Sequence, residues 1–193
     1  MILRTWIFTV VAGLILATSA GATPLDGECS IRFFGKSTLH DFAGQAACQP
    51  FVLQTQGDES GRQVIEPTVV AVPVSRMDTD NDRRDKKMWA MFDGTNFPEI
   101  KGHFAALDPD VVLEQLKATE NGQGSLEFDL QIREVTQHIK ANTNVLTITP
   151  EQIVFTMEFP LSLASFELKP PSVMGIIRVA DEVRVEVQTT LHR

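Results

Sequence analysis

Residues 179–191, VADEVRVEVQTTL, carry the pattern that decides the fold class of this chain. From Val183 to Val187 every second side chain is apolar, and Arg184 and Glu186 occupy the positions between them. Successive side chains of a β-strand point to opposite faces of a sheet, so this alternation predicts a strand with one buried and one solvated face. Such a strand is typical of an antiparallel sheet that covers a core on one side.

Other stretches with the same period, or enriched in β-branched residues, bring the total to about eight strands. Together with Ile176–Leu191 they are Cys29–Lys36, Phe42–Leu53, Gln63–Met77, Glu99–Leu107, Ser125–Val135, His138–Thr149 and Gln152–Leu163. Two short stretches favour a helix: Asp82–Phe92, with Asp82 as a candidate N-cap, and Pro109–Ala118. We therefore predict an all-β fold, an antiparallel barrel or sandwich with one or two short helices, and exclude a doubly wound parallel sheet.

The composition is that of one globular domain with an acidic balance. The 193 residues include 17 Lys and Arg against 25 Asp and Glu, which gives a formal net charge of −8 at pH 7. Binding to nucleic acid needs clustered cations that face the phosphates, and no such stripe runs along the sequence. We therefore expect no nucleic-acid partner.

The first 22 residues have the features of a secretory signal peptide. Arg4 precedes the apolar run Trp6–Ala17, and the small residues at 20–22 provide a cleavage site. The apolar run is shorter than the roughly 20 residues that span a bilayer. We expect cleavage after Ala22, a mature domain over residues 23–193 in the periplasm or outside the cell, and no stable membrane anchor.

The side chains that could carry chemistry form no recognisable catalytic or metal site. Residues 78–82 copy the carboxylate spacing that opens a calcium loop, but Arg83 and Trp89 stand where that loop needs Gly and Glu. Ser, His and Asp occur together within residues 37–41, yet one short turn cannot arrange them as nucleophile, base and orienting group. We therefore expect no metal, no cofactor and no enzymatic activity.

Apolar side chains offer the main functional signal, since the chain has 12 Phe and no Tyr. A closed barrel of about eight strands is just wide enough to hold one small ligand. The same side chains can instead fill a solid core. Both interpretations stay open for the phenylalanines that the strand pattern turns inward, which include Phe33, Phe42, Phe104, Phe128, Phe155 and Phe159.

Three blocks of sequence, in order along the chain, resemble the YceI-like family of exported bacterial proteins. They are STLHDFAG at 37–44, the segments RDKKM, MF and FPEI within 84–100, and FELKPPSVMG at 166–175, which leads into 179–183. Their order and spacing cover nearly all of the expected mature chain. The stretch Glu134–His138 departs from the family, because it lacks the Gly and Pro often found in a turn there.

The resemblance implies a lipocalin-like barrel that binds a polyisoprenoid lipid or an isoprenoid quinone in its interior. Burial of each CH₂ of such a tail contributes about 0.8 kcal/mol. Asp82–Phe92 is then expected to form a lid that Arg84 and Asp85 orient. The residues expected to line the barrel or the lid are Phe33, Phe42, Met88, Met91, Phe92, Phe97, Phe104, Phe128, Phe155 and Phe166.

A second interpretation also stays open, that of an exported envelope protein with a filled barrel that acts through protein contacts, for instance in a redox or stress function. The sequence identifies no protein partner and does not fix the oligomeric state, so a homodimer is compatible with it. A lipid that co-purifies with the protein would favour the first interpretation, and a barrel that is always empty would favour the second.

The two cysteines, Cys29 and Cys48, are expected to form a disulfide. An exported chain enters an oxidising compartment, where two Cys are the smallest set that can pair. A hairpin between Cys29–Lys36 and Phe42–Cys48 places the two cysteines opposite each other, along with Phe33 and Gly44. An irregular turn would shift this register and leave two thiols instead.

Overall fold

The computed structural model describes residues 24–57, 62–112, 123–170 and 179–193. Cleavage after Ala22 therefore stays a prediction, since residues 1–22 lie outside these ranges. So do residues 171–175 of the third family-like block. Within the described ranges, no helix has the length and apolar content needed to cross a membrane.

The described residues form eleven strands, one complete α-helix, two 3₁₀ turns and the beginning of a second helix at residues 109–112. The helix α1 spans Asp82–Met91, and the 3₁₀ turns span Val74–Arg76 and Ala164–Phe166. The strands are β1 (Leu25–Ser37), β2 (Phe42–Ala47), β3 (Phe51–Leu53), β4 (Thr55–Gly57), β5 (Gln63–Ile65), β6 (Thr68–Pro73), β7 (Glu99–Phe104), β8 (Gln123–Ile132), β9 (Val135–Ile148), β10 (Gln152–Ser162) and β11 (Val179–His192).

Eight strands follow one another in a single antiparallel sheet in the order β2-β1-β11-β10-β9-β8-β7-β6, while β3 also pairs with β1, and β4 pairs with β5. The sheet curves until its two ends meet. At this seam the amide of Gln49 donates to the carbonyl of Ala71 (2.8 Å), and Gln45 and Asp78 exchange two backbone hydrogen bonds (2.7 and 2.9 Å). The prediction of an antiparallel barrel of about eight strands is confirmed.

Alternation along the strands places one set of side chains inside this barrel. On β8, Phe128, Leu130 and Ile132 are buried, whereas Glu127 and Asp129 between them are exposed. Strands β10 and β11 alternate in the same way, with Met157, Phe159 and Leu161 buried on β10, and Val183, Val187 and Leu191 on β11.

Several predicted runs are shorter than expected because prolines interrupt them. The run Phe42–Leu53 divides into β2 and β3 near Pro50, and the run Gln63–Met77 divides near Pro67 and ends as a strand at Pro73. A proline has no amide hydrogen for the ladder, so it ends or displaces a strand. The second predicted helix begins as expected at residues 109–112, and its remainder lies outside the described residues.

The N-cap of α1 is Asn81 rather than the predicted Asp82. The Asn81 side chain accepts hydrogen bonds from the amides of Arg83 and Arg84, both at 3.1 Å. Asn and Asp are equally good caps, so the sequence alone does not choose between neighbours. Asp82 instead lies in the first turn, where its negative charge interacts favourably with the positive end of the helix dipole.

The first hairpin has the predicted register. Cys29 and Cys48 form the expected disulfide, with their Cα atoms 5.4 Å apart. At the tip of the hairpin the Ser37 hydroxyl donates to the carbonyl of His40 (2.6 Å) and accepts from the His40 amide (3.2 Å). The side chain of Ser37 thus stabilises the turn.

A glycine faces a phenylalanine in three cross-strand pairs at this corner of the barrel. They are Gly27 with Phe51, Gly35 with Phe42 and Gly44 with Phe33. Each ring lies over the backbone of its partner, and a Cβ added to Gly44 would be 2.2 Å from Cζ of Phe33. Only glycine allows this close approach.

The stretch that departs from the family pattern forms a tight hairpin. Ile132 pairs with Val135, so the turn consists of Arg133 and Glu134, and Val135–His138 belong to β9. Arg133 adopts a left-handed φ of 55° without being glycine, which costs roughly 1–2 kcal/mol. A hydrogen bond from the amide side chain of Gln131 to the Arg133 carbonyl (3.2 Å) stabilises the turn.

Candidate functional site

The barrel encloses a cavity of about 630 Å³. Binding sites for small ligands have volumes of this order, roughly 300–1,000 Å³. The cavity is lined by inward-facing side chains of most strands and by α1. Its aliphatic and thioether lining includes Ile31, Val70, Val72, Ile100, Leu126, Leu130, Met157, Leu161, Val183, Val185 and Val187.

Aromatic rings form one part of the wall. The rings of Phe104 and Phe128 stack with centroids 4.9 Å apart, and Phe128 meets Phe159 edge to face at 5.5 Å. All three residues also line the cavity. The barrel interior therefore combines a packed aromatic cluster with open apolar space beside it.

Eight of the ten residues predicted to line the barrel or the lid lie on the cavity wall. They are Phe33, Phe42, Met88, Met91, Phe92, Phe104, Phe128 and Phe155. The strand residues among them follow from the alternation, and the helical ones from the spacing of apolar residues along α1.

The other two, Phe97 and Phe166, are not among the described residues that line the cavity. Phe97 follows α1 in a connection, where its ring lies 5.9 Å from the guanidinium carbon of Arg133. Phe166 is 1% exposed and packs into the core from the 3₁₀ turn after β10. Neither lies on a strand, so no alternation turns these side chains toward the barrel axis.

The carboxylate of Asp181 holds the turn that carries Phe166. It accepts hydrogen bonds from the Ser162 hydroxyl (2.6 Å) and the Ala164 amide (2.7 Å). Both hydrogen bonds lower the pKa of Asp181 below its usual value, and the bond from Ser162 has the larger effect. The turn is thereby fixed to β11, and Phe166 with it.

Helix α1 covers one end of the cavity and presents a side rich in methionine to it. Met88 and Phe92 are buried, Met91 is half-buried, and all three line the cavity. Methionine is unbranched and adapts to irregular shapes, so this surface suits a flexible chain.

Thr79 fixes the orientation of α1 through Arg84 and Asp85. The Thr79 amide and hydroxyl both donate to Oδ1 of Asp85, at 3.0 and 2.5 Å. Arg84 donates from Nε to the Thr79 hydroxyl oxygen (2.8 Å) and from Nη2 to the Thr79 carbonyl (2.6 Å). The indole of Trp89 adds a hydrogen bond to the carbonyl of Met77 at 3.0 Å. Arg84 and Asp85 therefore hold the helix as expected.

Exposed residues on the cavity wall show where the cavity reaches the surface. The β1–β2 hairpin contributes Leu39, which is 59% exposed, together with His40 and Asp41. The start of α1 contributes Arg83 and Lys87. We call this opening the mouth, and it is polar around an apolar interior.

The sequence predictions named neither the side chains of the polar mouth nor those of the aliphatic wall. The alternation of Val183, Val185 and Val187 was a sufficient signal for the wall. A signal for the mouth was also present, because Arg83 and Lys87 lie one helical turn apart and Lys87 lies one turn before Met91.

Among the described residues, no group of three or more His, Cys, Asp or Glu is placed to hold a metal ion. In the calcium-like segment, Asp78 uses its carboxylate to accept the amide hydrogen of Asp80 (2.8 Å). That arrangement is a local turn within a polar loop.

His138, on the outer face of the barrel, lies beside two carboxylates that shift its protonation equilibrium. Nδ1 of His138 lies 2.9 Å from the carboxylate of Asp129, and Nε2 lies 3.6 Å from that of Glu127. The hydrogen bond with Asp129 is the main reason why the pKa of His138 is raised above its usual value. This cluster is separate from the cavity.

An antiparallel barrel with an apolar interior, a helical cap and a polar mouth defines a ligand-binding barrel. The YceI-like domain matches the chain over residues 30–191. The chain therefore belongs to the YceI-like family, as its sequence blocks predicted.

Solved structures share this fold at low sequence identity. A polyisoprenoid binding domain from Saccharophagus degradans, implicated in plant cell wall breakdown, superposes with a TM-score of 0.62 at 12% identity, covering 86% of this chain and 97% of that one. BcnA of Burkholderia cenocepacia gives 0.60 at 14% identity, covering 84% and 95%. The YCEI protein of Campylobacter jejuni gives 0.53 at 11% identity, covering 99% of both chains. Comparison with curated protein sequences finds no match.

Proposed function

We propose that this protein binds an isoprenoid-type lipid, a polyisoprenoid or an isoprenoid quinone, in the barrel cavity and carries or sequesters it. The observation that carries the proposal is the apolar cavity of about 630 Å³ that opens at a polar mouth. A tail inside the cavity is removed from water, while a polar headgroup can stay at the surface. The family likeness to a polyisoprenoid binding domain supports the same ligand class.

The volume of the cavity sets the length of tail that it can hold. A water molecule occupies about 30 Å³ in the liquid, and a methylene group is of similar size, so the cavity accommodates about 20 such groups. That number corresponds to about four five-carbon isoprenoid units.

The proposed setting is the periplasm or the space outside the cell, after cleavage behind Ala22. A carrier is useful there, because an isoprenoid tail cannot cross an aqueous compartment unaided. No reaction chemistry is required of the cavity wall, and we propose a binding protein without enzymatic activity.

Native mass spectrometry of the exported protein, purified without strong detergent, tests the proposal. We expect a mature chain that begins at Thr23 and carries a non-covalent lipid. Adding geranylgeraniol to delipidated protein should raise the melting temperature, because a ligand that binds only the folded state stabilises it. Absence of both a bound lipid and a thermal shift, with the alcohol delivered in soluble form, would contradict the proposal.

A further inference from the structure

The inward face of β11 carries one polar residue in an otherwise apolar row. Its inward positions are occupied by Val183, Val185, Val187, Thr189 and Leu191, and all five residues line the cavity. Valine has nearly the shape of threonine but lacks the hydroxyl, so this hydroxyl is the one departure from the row. Thr189 is 4% exposed. Its hydroxyl therefore lies inside the barrel rather than at the surface.

The Thr189 hydroxyl differs from the other buried polar groups of the described chain because none of them engages it. Within the described ranges, the buried polar residues are Thr79, Asp85 and Thr189. Thr79 and Asp85 are hydrogen-bonded to each other, whereas the Thr189 hydroxyl forms no hydrogen bond with any described residue. A hydroxyl that is removed from water without a partner is unfavourable. A ligand oxygen beside Thr189 would supply the missing acceptor.

Thr189 lies toward the end of the barrel that is opposite the mouth. Ser37, at the mouth end of β1, pairs with Val179, the first residue of β11. Thr189 follows further along the same strand, about 33 Å away at 3.3 Å per residue. Its cross-strand neighbours are Cys29 on β1 and Phe155 on β10, and both line the cavity. An aromatic side chain therefore forms the wall directly beside the hydroxyl.

The charged groups on the cavity wall disfavour an anionic ligand group at this inner end. Glu66 lines the cavity, is half-buried and directly follows β5. Ile65, just before it, exchanges two backbone hydrogen bonds with Leu107 (2.8 and 3.0 Å), which lies beyond the end of β7 that is farthest from the mouth. The lysine and arginine side chains on the described wall all belong to α1 and lie at the mouth. An uncharged oxygen therefore suits Thr189 better than a charged one.

From these observations we infer that Thr189 selects the ligand and sets its orientation. Its hydroxyl donates a hydrogen bond to a ring carbonyl of an isoprenoid quinone, which binds with its ring at the inner end of the cavity and its tail toward the mouth. This inference rests on the proposed function and specifies one ligand class within it. A quinone carbonyl is an uncharged acceptor, and the flat ring can pack against Phe155 in an offset or edge-on arrangement. The tail then extends along the valines of β11 toward Met91.

The test compares ubiquinone-2 with geranylgeraniol, a ligand of similar size that has a hydroxyl and no ring. Affinities are measured by calorimetry for the mature protein, for Thr189→Val, which removes the hydroxyl and keeps the shape, and for Thr189→Ser, which keeps the hydroxyl. Thr190→Val is the matched control, because Thr190 is the next residue of β11, is half-buried and is not among the residues that line the cavity. Thermal melts without ligand establish that each variant is folded.

One hydrogen bond changes an affinity by about five- to tenfold, so Thr189→Val should weaken the binding of ubiquinone-2 by that factor. Thr189→Ser should keep most of the affinity, and Thr190→Val should leave it unchanged. Geranylgeraniol should bind equally well to all of these proteins, because its hydroxyl stays at the mouth. Infrared spectroscopy adds a second measurement: a hydrogen bond lowers the stretching frequency of one quinone carbonyl in the unmodified protein, and Thr189→Val should raise it again.

Equal affinity of Thr189→Val and the unmodified protein for ubiquinone-2 would overturn the inference and leave the proposed function intact. So would a carbonyl band that the substitution does not move. An equal loss of affinity for both ligands would overturn it as well, because Thr189 would then shape the cavity rather than bind a carbonyl. Binding of geranylgeraniol without binding of ubiquinone-2 would show that the ligand class is wrong. Failure of both lipids to bind would contradict the proposed function itself.

Discussion

Replacement of Asp85 by alanine should weaken the attachment of the start of α1 to the barrel. Asp85 and Thr79 are 6% and 3% exposed, so the hydrogen bonds between them are shielded from water. Both bonds end on the same atom, Oδ1 of Asp85. In Asp85→Ala the buried Thr79 amide loses its acceptor, and the Thr79 hydroxyl loses its own.

The magnitude follows from the number and kind of bonds. A hydrogen bond to a charged group contributes about 1.5–3 kcal/mol to stability. Because the Thr79 hydroxyl can rotate to find another acceptor, we count mainly the lost amide bond and expect Asp85→Ala to lower the free energy of unfolding by about 3 kcal/mol. Asp85→Asn keeps an acceptor oxygen at the Oδ1 position, loses the charge and replaces the second oxygen by an NH₂ donor, which should lower the free energy of unfolding by about 1 kcal/mol. Asp82→Ala, an exposed carboxylate of the same helical turn, is the control and should cost about 0.5 kcal/mol through the helix dipole.

Urea unfolding monitored by tryptophan fluorescence measures these differences. Trp89 is the single tryptophan within residues 23–193 and lies on α1 itself. Equal losses for Asp85→Asn and Asp85→Ala would refute the reasoning, because the acceptor oxygen would then be irrelevant. A loss below about 1 kcal/mol for Asp85→Ala would refute it as well.

Four further perturbations test other parts of the structure. Met91→Glu should lower the affinity for geranylgeraniol at least about tenfold, because a carboxylate is costly in an apolar cavity; Ala90→Glu, exposed and outside the cavity wall, should bind normally in the same calorimetric titration. Gly44→Ala should lower the free energy of unfolding in urea by about 1–3 kcal/mol, because the added Cβ would lie 2.2 Å from Phe33 and 2.9 Å from the Asp78 carbonyl. The control Gly57→Ala should be nearly neutral, because the nearest neighbour of its Cβ is 3.7 Å away. Changing both Cys29 and Cys48 to Ser should lower the free energy of unfolding, measured by denaturant titration, by about 3 kcal/mol. Detection of free thiols in the unreduced, denatured protein would disprove the disulfide. NMR titration should give His138 a pKa above about 6.5, and the pKa should return toward that value in Asp129→Asn. Because the pKa of His138 is raised in the folded protein, its contribution to stability is present below the pKa of the unfolded chain. That contribution disappears as the pH rises through the pKa of the folded protein.

Sequence alone predicted the features that depend on local pattern. The alternation in β8, β10 and β11 determined which side chains face inward, and the hairpin geometry placed Cys29 opposite Cys48. Helix α1 followed from its apolar spacing. The strands and the helix follow from one repeat each, two residues for a strand and 3.6 residues for a helix, which determines the side chains that face the interior.

Features that depend on tertiary context were less accessible. Phe97 and Phe166 occur in family-like blocks of sequence, but membership of a block does not say which way a side chain in a connection points. The turn at Arg133 adopts a conformation usually reserved for glycine, and contacts such as that with Phe97 accompany it. The polar mouth joins residues from β1–β2 and α1, which are some 40 positions apart in the sequence and come together only in the folded barrel.

The pairing of β1 with β11 has a consequence for the order of events during synthesis. Asp26 pairs with His192 and Phe33 with Val185, so the ladder that joins the first strand to the last spans almost the whole chain. A chain emerging from the ribosome cannot form this ladder until β11 has been made, and contacts so distant in sequence form slowly. The barrel therefore stays open throughout translation. Until its last strand is complete, a polypeptide with this topology remains an unclosed chain that a narrow channel can still admit.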